Sequence, residues 1–199
     1  MRLSCSFPTA EAAVTRLEIT RREPFAAGQA FGSAGAYEKV VGRFLGELDP
    51  AHPLNAGIVD LDKAPRNARG RVAYSADFYI LKPADLAKGN GALFHDVDNR
   101  GDKRLLVQFN SAQSSNDPTT PEHAGNGLLM RHGFTVTWSG WMPGLPATNN
   151  KVRLDVPVAV GAPSAIEGTV WDEFVGSLTA SRPAVGRAPG SRSPLSGFR

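Results

Sequence analysis

The sequence has almost no cysteine, no long apolar run and, toward one end, no acidic residue. Cys5 is the only cysteine among 199 residues, so the chain can form neither an internal disulfide nor a site built on several thiolates. No stretch of about 18 apolar residues occurs, and Pro8 and Glu11 interrupt the apolar residues near the start. We therefore expect no membrane-spanning helix, no membrane partner and no signal peptide, with the cytoplasm as the default location.

The charge is unevenly distributed along the chain. The whole sequence carries 22 Lys and Arg against 19 Asp and Glu, but residues 175–199 hold four arginines and no acidic residue. A nucleic-acid-binding domain concentrates basic residues on a folded surface, so this distribution argues against a nucleic-acid partner. We expect residues 1–13 to be a flexible N-terminus and residues 175–199 to be a disordered basic tail, with the composition that a frameshifted reading of GC-rich DNA would give.

Glycine and proline are abundant, with 21 and 15 residues, and this favours short elements joined by turns. The β-branched and apolar residues predict four strand segments, which we expect to pair as antiparallel hairpins: Val14–Glu23, Tyr37–Asp49, Asn55–Pro65 and Gly70–Pro83. In the second segment the alternation places Tyr37, Lys39 and Val41 on one face, and its glycines predict bulges.

A different pattern follows in the middle of the chain. "GALFHDV" predicts a strand, and "TTPEHAGNGLLMRHGF" predicts a helix that begins at Thr120 and ends before Gly133. "FTVTWSGW" then predicts a second buried strand, and together these segments form a βαβ unit whose two strands should be parallel and adjacent. Further strands are predicted in "KVRLDVPVAV" and "SAIEGTVWDEF".

The segment "FHDVDNRGDKR", residues 94–104, allows three interpretations. A calcium loop begun at Asp96 needs Asp or Asn at its fifth position and Glu at its twelfth, where this sequence has Arg100 and Val107. The Arg-Gly-Asp tripeptide ending at Asp102 needs an extracellular loop. Since the four histidines also lack metal-ligand spacing, we predict no metal site and no cofactor. A strand followed by a turn fits the βαβ unit best.

That turn lies where open parallel sheets bind ligands, which is beyond the carboxyl ends of their strands. Gly101 would let the backbone approach a substrate oxygen without an intervening Cβ, and N–H groups aimed there would stabilise developing negative charge. We therefore name Asn99, Arg100 and Gly101 as candidates for an oxyanion hole.

Several segments together resemble a family. "GAYEKVVGRFLGELDPAHPLNAGIVDLDKAP", "GRVAYSADFYILKP", "NRG", "NGLLMRHGFTVTWSGW" and "RLDVPVA" are similar to the amino-terminal part of a large bacterial family of α/β-hydrolase-domain proteins, over residues 14–174. The resemblance implies an α/β fold in which antiparallel β-hairpins lead into the first βαβ part of a hydrolase-type sheet. It also implies a small-molecule ester as the substrate of full-length members.

The chain departs from this family in two ways. The family's Gly-x-Ser-x-Gly nucleophile turn lies downstream of the segment that corresponds to "WDEF", so we expect a truncated domain. The usual asparagines of the family's "NNRGN" region are here Asp98 and Asp102, and two added carboxylates would disfavour negative charge beside the oxyanion candidates.

The sequence contains no serine in a Gly-x-Ser-x-Gly turn, because "FGSAG" has Phe31 where the first glycine belongs. No catalytic residue can be assigned, and we expect a hydrolase by descent that is inactive alone. The alternative is a non-catalytic β-rich binding or structural module. A truncated hydrolase would expose an unpaired sheet edge and bind a hydrophobic dye, whereas a module would unfold cooperatively as a monodisperse species.

Overall fold

The computed structural model describes residues 12–160, which form a mixed six-stranded sheet with short helices. The strands are β1 Ala12–Pro24, β2 Tyr37–Leu48, β3 Val72–Pro83, β4 Leu93–Asp96, β5 Thr135–Ser139 and β6 Leu154–Asp155. The α-helices of this part are α1 Leu105–Asn110, α2 Pro121–Ala124 and α3 Leu128–Arg131. The predicted basic tail, "SAIEGTVWDEF" and residues 1–11 of the predicted N-terminus lie outside the described residues.

The strand order is β1-β2-β3-β5-β4, with β6 paired to β3. Strand β2 pairs antiparallel with β1 on one side and with β3 on the other, which confirms the antiparallel pairing of three of the four predicted strands. Strand β5 pairs antiparallel with β3 and parallel with β4, where Phe94 lies opposite Val136. The predicted parallel, adjacent strands of the βαβ unit are therefore confirmed.

The glycines of β2 were predicted to form bulges, but they serve to accommodate neighbouring side chains. The register shifts lie in β1, between Val14 and Arg16 and between Ile19 and Arg21, and not in β2 itself. Gly42 and Gly46 instead make room for aromatic rings of β3, because Phe78 lies over Gly42 and Tyr74 lies over Gly46. The predicted bulges are thus found on the strand opposite the glycines.

The predicted strand Asn55–Pro65 is wrong. This segment contains two single-turn 3-10 helices, Pro53–Asn55 and Leu61–Lys63, and Asp60 between them has a left-handed φ of 56°. Its β-branched residues Ile58 and Val59 are exposed, so they have no sheet face to cover. Strand propensity without a partner surface did not determine the structure here.

The predicted single helix from Thr120 to Gly133 is two helices, α2 and α3. Gly125 and Gly127 between them have φ values of 57° and 67°, a conformation that interrupts an α-helix. Helix α1 was not predicted, and only Leu154–Asp155 of the predicted strand "KVRLDVPVAV" pairs with the sheet.

The core lies between the helices and the sheet face that carries Tyr37, Leu81 and Val136. Trp138 and Met130 are also fully buried in this layer. Within residues 12–160, no helix has the length and hydropathy needed to cross a membrane.

Candidate functional site

The predicted site residues form a tight turn between β4 and α1. The Asn99 N–H donates to the Asp102 carbonyl and the Asp102 N–H donates to the Asn99 carbonyl, both at 3.1 Å. Arg100 and Gly101 have φ values of 54° and 83°, as the two central residues of a type I′ turn require. The turn follows the carboxyl end of β4 directly, where the sequence placed it.

The side chain of Asp98 holds this turn from beneath. Its Oδ1 accepts a hydrogen bond from the Gly101 N–H, and the residue is only 2% exposed. Its Oδ2 is buried and has no hydrogen-bond partner in the described part of the chain. Burial raises the pKa of Asp98, and the hydrogen bond from Gly101 offsets this only in part.

The three candidates therefore differ in what they can donate. The N–H groups of Asn99 and Gly101 already have partners, whereas the Arg100 N–H makes no hydrogen bond to another residue of the described range. Asn99 and Arg100 are exposed, while Gly101 is buried. The structure thus brings the three together, and the Arg100 N–H is the backbone donor of the turn that an oxyanion could use.

The acidic residues around the turn have structural partners. Asp96, the first residue of the rejected calcium loop, accepts hydrogen bonds from the Trp138 indole at 2.7 Å and from the Leu105 N–H at 2.9 Å. Asp96 therefore fixes the start of α1 against β5. Among residues 12–160, no group of three or more His, Cys, Asp or Glu side chains could hold a metal ion.

Asp102 is paired with a cation. It accepts a hydrogen bond from the Asn116 side chain at 2.7 Å and from Lys151 Nζ at 3.1 Å. Burial alone would raise the pKa of Asp102, but the Asn116 and Lys151 hydrogen bonds outweigh it and hold that pKa below its usual value. The negative charge of Asp102 is thus compensated beside the turn.

A cleft of about 240 Å³ lies next to the turn, on the helix-covered side of the sheet. Val41 and Tyr79 contribute to its floor, and residues of the segment 147–153 form one wall. Arg153 in that wall donates from Nε to Asp77 at 3.2 Å. Burial, assisted by the negative charge of Asp117, raises the pKa of the Tyr79 hydroxyl to about 12, so Tyr79 stays a neutral hydrogen-bonding group in this cleft.

Lys103, which follows the turn, is a buried amine. Its Nζ donates to the Asn116 carbonyl at 2.6 Å and to the Asn150 carbonyl at 2.9 Å, and it lies 3.6 Å from the centre of the Tyr79 ring. Within the described range it forms no ion pair with a carboxylate. Burial lowers the pKa of Lys103 to about 7.

A second buried lysine anchors the loop between α1 and α2. Lys39 is fully buried, and its Nζ donates to Asp117 Oδ1 at 2.6 Å and to the Thr119 hydroxyl at 2.5 Å. Arg21 donates to both carboxylate oxygens of Asp117, at 3.0 and 2.6 Å. Burial alone would raise the pKa of Asp117, but the hydrogen bonds from Arg21 and Lys39 outweigh it and lower that pKa.

Burial could have been predicted from the sequence for only one of these two lysines. Lys39 alternates with Tyr37 and Val41 on the face assigned to β2, and a lysine between two apolar residues on one face predicts burial with a partner. Lys103 lies in a turn rich in charged residues, where no periodicity distinguishes a buried side chain from a solvated one.

The chain was compared with protein-family models, curated proteins and solved structures. No protein-family model, no curated protein and no solved structure matches the chain.

Proposed function

We propose that residues 14–174 form the amino-terminal part of an α/β-hydrolase-type domain, and that the turn Asn99–Gly101 is the rim of its oxyanion hole. One observation carries the proposal. The turn leaves the carboxyl end of β4, which is the third strand of the sheet in chain order when the edge strand β1 is left out. Hydrolases of this type take one oxyanion N–H from the loop after the third strand.

The electrostatics of the turn support this role better than the sequence suggested. An ester carbonyl oxygen that gains negative charge would accept the Arg100 N–H, a donor that has no described partner. The two carboxylates expected to oppose that charge repel an oxyanion less than their number suggests. Asp102 is paired with Lys151, and burial raises the pKa of Asp98 and so disfavours its ionised form.

Acyl transfer on this fold also needs a serine nucleophile, an acid and a histidine base. The 199-residue sequence contains no Gly-x-Ser-x-Gly turn. We therefore propose that this chain does not hydrolyse small-molecule esters by itself, and that such an ester is the substrate of a complete domain.

An esterase assay tests the inactivity. The purified 199-residue chain should hydrolyse p-nitrophenyl acetate and butyrate no faster than denatured chain at the same concentration. Slow turnover by exposed histidines would not respond to a serine-directed phosphonate. Turnover that the phosphonate abolishes would refute the proposal.

The small cleft favours a second candidate, a non-catalytic β-rich module that binds a ligand beside Tyr79 and Arg153. Urea unfolding, analytical ultracentrifugation and binding of a hydrophobic dye separate the two candidates. Cooperative unfolding of a monodisperse species that binds no dye supports the module. Dye binding together with self-association supports the hydrolase-type fragment.

A further inference from the structure

Lys103 joins three separate segments of the chain at one nitrogen atom. Its Nζ contacts a carbonyl of the α1–α2 loop, at Asn116, and a carbonyl of residues 145–151, at Asn150. It also lies over the Tyr79 ring of β3. Residues 145–151 are called the cleft loop here, because they supply much of the wall of the cleft.

The cleft loop rests on the candidate oxyanion turn. Lys151 Nζ donates to the Arg100 carbonyl and to Asp102, both at 3.1 Å, and the adjoining Val152 N–H donates to the Gly101 carbonyl at 3.2 Å. Asn149 and Asn150 have left-handed φ values of 55° and 48°. Asparagine adopts this conformation more readily than other non-glycine residues, so these contacts, and not backbone strain, attach the loop to the turn.

Burial of Lys103 disfavours its ammonium form. The residue is 3% exposed, so an ammonium ion would lose its hydration without gaining an ion pair in the described part of the chain. The two carbonyls accept both N–H donors of a neutral amine, whereas the face of the Tyr79 ring would favour a cation. The ionisable groups that act on it from the neighbouring elements are Asp117, Asp98, Asp77, Lys39 and Tyr79.

We propose that Lys103 is a proton-operated latch on the cleft loop. The loop closes over the neutral amine, and uptake of a proton favours an open loop in which the ammonium ion is hydrated. Opening uncovers the cleft and releases the loop from the turn at residues 99–102. The inference goes beyond the proposed hydrolase function, because it concerns conformation and holds whether or not the turn serves an oxyanion.

The direction of the pH dependence follows from linkage. The pKa of Lys103 is about 7 in the closed loop, and a hydrated lysine has its ordinary pKa of 10.5. Between these two pH values the open state binds a proton that the closed state does not. Each unit of fall in pH therefore favours opening by about tenfold, and below pH 7 the effect ends because both states are protonated.

Amide hydrogen exchange on the full 199-residue chain tests the latch. The protection factor of the Val152 amide, corrected for hydroxide catalysis, should rise by up to about tenfold per unit between pH 7 and 9. The Gly70 amide, which donates to Asn67 in a turn on another part of the chain, is the control and should show no such slope. A Val152 protection factor that does not change with pH would overturn the proposal.

Two variants test whether titration of Lys103 causes the pH dependence. Lys103→Met has no titrating group and Lys103→Arg stays charged, so the pH slope at Val152 should vanish in both. A slope that persists in Lys103→Met rules the latch out. If neither variant folds, the ¹³Cε resonance of Lys103 in the unmodified chain decides: a midpoint near pH 7 is expected, and one near pH 10 contradicts the proposal. A slope confined to the most protected amides of β2 and β3 would indicate global unfolding and would also contradict it.

Discussion

Replacing Lys39 by methionine should cost more stability than any exposed charge change in this protein. Methionine keeps the apolar stem but removes the ammonium ion that contacts Asp117, Thr119 and, at 2.7 Å, Glu23. Breaking a buried ion pair by removing one partner costs about 3–5 kcal/mol, because the remaining charge stays buried. Since the side chains of Asp117 and Glu23 are 24% and 30% exposed, we expect the lower end, about 3 kcal/mol.

The matched control is Arg21→Met, because Arg21 binds the same carboxylate. Its side chain is 38% exposed, and removing a solvent-accessible partner costs about 1 kcal/mol or less. Urea unfolding at pH 7, followed by circular dichroism, measures both variants as shifts of the midpoint at an unchanged m-value. The double variant Lys39→Met with Asp117→Asn should recover part of the loss, since it removes the uncompensated carboxylate. The reasoning fails if Lys39→Met is no more costly than Arg21→Met.

Three further predictions concern the turn, the carboxylate beneath it and the buried side chain of Asn110 at the end of α1. Gly101→Ala should lower the free energy of unfolding by about 1–3 kcal/mol, because φ is 83° and an added Cβ would lie 2.9 Å from the Val152 carbonyl oxygen. The control is Gly57→Ala, where a Cβ meets no atom within 4 Å, and an equal loss of stability in the control would contradict the prediction. Because burial raises the pKa of Asp98 in the folded state, its carboxyl lowers stability as pH rises from its ordinary pKa of 3.8 through the raised one. In that pH window, the unfolding free energy of Asp98→Asn should therefore rise relative to that of the unmodified chain by up to about 1.4 kcal/mol per pH unit. Urea unfolding at several pH values measures this difference, and a difference that does not change with pH would refute the raised pKa of Asp98. Asn110→Ala should cost about 2–3 kcal/mol in thermal unfolding, because it leaves the buried Ala124 carbonyl and Leu129 N–H without their side-chain partner, and a loss below 1 kcal/mol would contradict this.

The sequence predicted the strands that have a partner, and it failed where local propensity had no partner surface. Strands β1, β2 and β3 and the parallel pair β4–β5 were predictable from their β-branched and aromatic residues, although buried residues alternate strictly only in β5 and the apolar residues Val14, Leu17 and Ile19 of β1 are exposed. The segment around Ile58 also contains β-branched residues but forms 3-10 turns, and Ile58 and Val59 are exposed instead of covering a sheet face. Gly125 and Gly127 divided the predicted helix through their left-handed φ values, which composition alone does not reveal.

The candidate site was predictable as a location but not in its hydrogen bonding. A turn after a predicted strand indicated residues 99–101. The sequence does not reveal that the Asp98 carboxylate accepts the Gly101 N–H, nor that the Arg100 N–H makes no hydrogen bond within residues 12–160. The latch residue Lys103 was beyond prediction, because its two carbonyl partners come from distant segments brought together by tertiary packing.

We have proposed that residues 14–174 are part of a hydrolase-type domain whose nucleophile is encoded downstream of them. Sequencing the DNA that follows the codon for Phe174, and translating it in all three frames, tests this proposal. We expect a Gly-x-Ser-x-Gly turn, preceded by strand-forming residues and followed by an acid and a histidine in that order. Absence of such a turn from all three frames would refute the hydrolase proposal and favour the β-rich binding module.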